Sequence, residues 1–157
     1  MDSRLNTFKV EGLPFQFYND PVYGVTIITA FNCLPSDIKM FFEMFSKTKD
    51  LDCDYEDWLQ EDKVWAFTVR LFNLDKDFYT KNNLFHKALF FFFDYRNSKM
   101  TPQTISTIAH ESLHGTISVF SNAGIELSEE SEEAFTYYTG FLSEVISVSI
   151  SKLIEKK

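Results

Sequence analysis

The chain has 157 residues, 45% of them hydrophobic, which suits one globular domain with a sizeable core and leaves no obvious room for a second. Lys and Arg total 15 against 23 Asp and Glu, and the formal charge of −8 argues against a phosphate-tracking nucleic-acid binder or a polybasic membrane anchor. No apolar run approaches the ~20 residues of a membrane span, and Met1 leads into polar residues rather than a signal peptide, so a cytoplasmic protein is expected.

In chain order, Thr7 to Val10 and Phe15 to Tyr18 are short strand candidates around the Gly12, Pro14 turn, and Val22 to Phe31 is a longer β-branched run. Pro35 and Ser36 open a helix whose apolar residues Ile38, Phe41, Phe42 and Phe45 recur at one-face spacing. Ser46 to Asp62 is polar, acidic and loop-like. Val64 to Phe72 alternates as a strand with one buried face, whereas Ala88 to Tyr95 (ALFFFFDY) is apolar on both faces. A bare FFFF edge would aggregate, so sheet neighbours on one side and helices over the faces are expected. Aromatic residues make up 17% of the chain, 18 of them Phe, an enrichment that a packed core explains. Cys33 and Cys53 lack C-x-x-C spacing and read as two ordinary reduced thiols.

Thr101 and Pro102 are N-cap and first residue of the next helix, which carries Ile105, Ile108, Ala109, Leu113, Ile117 and Phe120 and stops at Gly124. Ser128 is expected to cap the last helix, with Glu129, Glu130, Glu132 and Glu133 in its first turns and Phe135, Tyr138, Phe141, Leu142, Val145 and Ile146 as its buried stripe. The period change at Thr101 therefore predicts a single α+β domain over 1–157. A strand-rich half, 1–100, with one helix near 36–47, should pack against two helices in 101–157.

Mid-helix in the first of these stands H-E-S-L-H. His110 and His114, four apart, share a helical face and can offer two imidazole nitrogens to one zinc ion, with Glu111 beside them as general base toward a bound water. Two of the three histidines in the chain lie in this pentapeptide. Gly115, directly after it, weakens the helix by ~1 kcal/mol relative to Ala, which suits either the close approach of another group or a merely tolerated glycine. A catalytic zinc usually takes three protein ligands, and the glutamates of the last helix are the candidates. Periodicity alone favours Glu130 or Glu132 over Glu133 and does not decide.

HESLH, a helix end at Gly124 and a helix opening EEAFTYYTGFL together resemble a gluzincin, the thermolysin-like class of metallopeptidases. Ile108 to Leu142 is more similar still to the small HExxH metallopeptidase-like proteins encoded by tailed bacteriophages. The resemblance implies a zincin-like fold with a mixed or mostly antiparallel sheet, zinc on His110, His114 and Glu133, Glu111 as catalytic base, and Tyr137 as a supporting catalytic residue. No counterpart of the class's oxyanion-stabilising His stands out, and His86 reads as a surface or packing residue.

The function expected is a zinc-dependent peptidase, its metal-activated water attacking a peptide carbonyl. The alternative is a catalytically silent phage structural or assembly protein of the same fold. The partner is then a peptide or protein substrate, or a phage structural partner, in the host cytoplasm or in the virion. A free edge of the Ala88 to Tyr95 strand would let a peptide pair by β-addition, and Arg96 is a candidate for a substrate carboxylate.

Overall fold

The computed structural model describes residues 5–46, 66–94 and 99–155. Arg96, Cys53 and the polar segment after Ser46 lie outside them. The described elements are β1 (Gln16–Asp20), β2 (Val25–Phe31), α1 (Pro35–Phe45), β3 (Ala66–Asn73), α2 (Lys76–Lys81), β4 (Lys87–Phe93), α3 (Pro102–Asn122) and α4 (Glu132–Ile154). The result is an α+β fold, a mixed sheet in the order β1-β2-β4-β3 with helices on both faces. No helix among the described residues is long and apolar enough to cross a membrane.

The FFFF strand sits inside the sheet: β4 pairs parallel with β2 and antiparallel with β3. Both of its edges are thus occupied, which corrects the expectation of a free edge there for substrate. Alternation then sends its side chains to two separate cores. Phe90 and Phe92 face α1, where Phe90 meets the rings of Phe15, Phe41 and Phe42 at centroid distances of 5.4, 5.6 and 5.0 Å. Leu89, Phe91 and Phe93 face α3 and α4. A strand covered on both sides needs apolar residues at every position, which is why its sequence shows no alternation.

Thr7 to Val10 forms only an isolated bridge, Phe8 with Phe17. The short α2 escapes periodicity because its six residues turn only Phe78 fully inward; Asp75 caps it, accepting from the N–H groups of Asp77 and Phe78.

Thr101 caps α3 as expected, accepting from the Thr104 N–H at 3.1 Å. Its end is a Schellman turn. Gly124 adopts φ 73°, the Ile125 N–H reaches back to the Phe120 carbonyl at 2.8 Å, and the Gly124 N–H to that of Ser121 at 3.1 Å. The last helix begins later than expected, with Ser131 rather than Ser128 at its N-cap. The Ser131 hydroxyl instead ties down the preceding turn, donating to the Glu126 carbonyl at 2.5 Å, so Glu129 and Glu130 precede the helix. On the core side Tyr138 donates to Asp20 at 2.7 Å, and Asp20 also accepts from the Val22 N–H at 2.9 Å, fastening the β1–β2 turn to α4.

Candidate functional site

β3 is an edge strand of the sheet; alternation turns Phe67 and Val69 toward α1 and Thr68 toward α3, and Phe72 also faces α1. The register slips between Val69 and Phe72. At this bulge the Leu71 N–H is satisfied by the Ser118 hydroxyl of α3 at 3.1 Å. With Thr68 against Glu111 and Leu71 against Ser118, α3 runs alongside β3 in the same chain direction. A cleft of about 330 Å³ opens where the two meet, lined by Ala66, Phe67, Thr68, Arg70, His110, Glu111 and His114.

Glu111 is buried, at 6% exposure, and its carboxylate accepts a 2.6 Å hydrogen bond from the Thr68 hydroxyl. The same hydroxyl lies 3.2 Å from the Glu111 carbonyl oxygen. Glu111 is thereby held at the cleft wall with one oxygen engaged, leaving its remaining acceptor capacity for a proton from the cleft. His110 and His114 are exposed on the open side, their Nε2 atoms 3.1 Å apart and their ring planes at 74°. One Nε2–H between them satisfies this distance, and so would two imidazoles meeting one ion at about 2.0–2.1 Å. The structure therefore brings together three residues singled out from the sequence, His110, Glu111 and His114, and adds two that were not, Thr68 and Arg70. The signal for both was present: they are the polar positions on one face of the otherwise apolar run VWAFTVRLF.

The proposed third ligand does not join them. Rings of Phe120 and Phe135 stack edge-on at 4.5 Å and the Thr116 and Thr139 hydroxyls meet at 2.9 Å, so α4 starts beside the far end of α3. His114 and Phe120 lie six positions apart, about 9 Å along the helix axis. Glu133, two positions before the buried Phe135, is turned from it by roughly 200° around α4 and is exposed. Glu130 accepts from the Ser128 hydroxyl at 2.9 Å, and Glu132 is exposed at the helix start. Tyr137, 72% exposed, is absent from the cleft lining.

Among the described residues no group of three or more His, Cys, Asp or Glu side chains is placed to hold a metal ion. The reading as a zinc metallopeptidase of gluzincin type, with a metal-binding triad of His110, His114 and Glu133, is corrected accordingly: this fold assembles two imidazoles and a tethered carboxylate. The bacteriophage assignment, which rested on the same motif, loses its support with it. His86 stands outside the cleft, its ring 6.3 Å from that of Tyr79. A larger hollow, about 540 Å³, lies between the N-terminal loop, α1 and α2, but its walls (Met40, Met44, Phe45 and Phe78 among them) bring no imidazole.

Comparison with protein-family models, curated proteins and solved structures finds no match to this chain.

Proposed function

We propose that the cleft between β3 and α3 is a hydrolytic site acting on an extended peptide, with Glu111 as general base. The observation that carries this reading is the pairing of a buried carboxylate, fixed by Thr68 at 2.6 Å, with two exposed imidazoles in one 330 Å³ cleft. A carboxylate positioned in this way is suited to proton transfer. The strand supports the substrate class. β3 is hydrogen-bonded to β4 on one side, and its other edge has no strand partner among the described residues apart from the Ser46 bridge at Leu74, beyond its far end. An extended peptide adding to the Ala66–Arg70 part of that edge would pass the mouth of the cleft.

In the reaction, Glu111 takes a proton from water as the water oxygen attacks the peptide carbonyl carbon. The imidazole pair supplies an N–H toward the developing oxyanion. Glu111 then delivers the proton to the amide nitrogen as the carbon–nitrogen bond breaks. The test is hydrolysis of a broad peptide library by the wild-type chain and by Glu111→Gln, with circular dichroism to verify the fold. The amide keeps the shape and can still meet Thr68, so folding should persist while the rate falls ~100-fold to ~10,000-fold. Equal rates in the two proteins, or no cleavage by the wild type, would reject the hydrolytic reading.

A further inference from the structure

The cleft contains one side chain that proton transfer does not use. Arg70 is exposed on β3 at the bulge, two positions from Thr68, and it lines the wall shared with His110, Glu111 and His114. Among the described residues it forms no ion pair; the acid in the same cleft, Glu111, is engaged by Thr68 instead. It is also the one arginine in the described part of a chain with formal charge −8. A guanidinium costs little to solvate at an exposed strand edge, so its presence there needs no ligand. Its position does narrow the ligand. An anionic group entering this cleft meets a planar fork of donors and two further ring nitrogens, against a single carboxylate that is already hydrogen-bonded.

Building on the hydrolytic reading, we infer that Arg70 binds a carboxylate of the substrate, so that the cleft selects an extended peptide with an acidic side chain or a free C-terminal carboxylate near the scissile bond. Arg70 is then a specificity residue, with no role in the proton transfer itself. A peptide paired along β3 would carry every second side chain to the α3 face, toward the cleft that Arg70 lines.

Titration calorimetry on the full chain carrying Glu111→Gln reads this without turnover. The probes are six-residue peptides with capped termini bearing Glu at each position in turn, the matching Gln peptides, and an all-neutral peptide with a free C-terminus. Binding about tenfold tighter for a Glu peptide than for its Gln match identifies a side-chain carboxylate; the same gain on freeing the C-terminus identifies a terminal one. Adding Arg70→Gln should erase the difference, and Arg70→Lys should keep only part of it, since an ammonium lacks the bidentate fork. Equal affinity across the probes, no binding of any probe, or a preference that survives Arg70→Gln overturns the inference. Charge-selective binding without hydrolysis in the wild type would instead leave it standing and remove the hydrolytic reading.

Discussion

Gly115→Ala is a perturbation whose sign separates two accounts of that glycine. A methyl group at position 115 would lie 2.6 Å from Phe91 Cζ, 3.1 Å from Phe91 Cε1 and 3.0 Å from Leu142 Cδ1. Both neighbours are fully buried, Phe91 in the central strand and Leu142 in α4, so neither side chain can swing toward solvent. Overpacking of this kind costs about 1–3 kcal/mol, and a contact this short in a closed core belongs in the upper half of that range. Replacing a mid-helix Gly by Ala returns about 1 kcal/mol of helix propensity. The net expectation is a loss of about 1–2 kcal/mol, or roughly 3–6 °C in Tm for a chain of this size. Relief of the clash pushes α3 off the sheet one residue from His114, so the Thr68–Glu111 contact should loosen and any hydrolytic rate fall as well. Urea and thermal unfolding of both proteins measure it. A variant more stable than wild type by about 1 kcal/mol, the result of propensity alone, would refute the packing account and mark Gly115 as a tolerated glycine.

Two other outcomes follow from the fold. The Tyr138 phenol is held well above its ordinary range, by burial first and then by the charge of and hydrogen bond to Asp20. A folded-state value raised above the unfolded one, about 10 for tyrosine, gives stability that is complete below that pH and lost as pH rises beyond it. The urea midpoint should therefore fall steeply above pH ~10 in the wild type and less steeply in Tyr138→Phe; parallel curves would exclude Tyr138 as the cause. Because the described residues supply two imidazoles and no third ligand, zinc added to the protein should be lost on gel filtration into metal-free buffer, and Glu133→Ala should take it up no differently. Stoichiometric zinc retained by the wild type and lost in that variant would return Glu133 to the site.

Local sequence determined the elements that local physics controls. The Ile38, Phe41, Phe42 spacing wrote α1, Thr101 with Pro102 and Gly124 bounded α3, and the unbroken apolar run at Phe90 to Phe93 required a strand covered on both faces. The i, i+4 geometry also ensured that His110 and His114 would meet, since one helix contains both. What the sequence could not settle were relations between elements. Glu133 depended on where α4 starts and how it rotates against α3; the Ser131 turn and the Phe120–Phe135 contact fix both, and they carry the carboxylate away from the imidazoles. Thr68 and Arg70 are unremarkable in a strand until that strand proves to be the sheet edge beside α3. Which strand is an edge, and which helix face meets it, is set by burying two aromatic layers on opposite sides of β4, a condition of the whole chain that no local window contains.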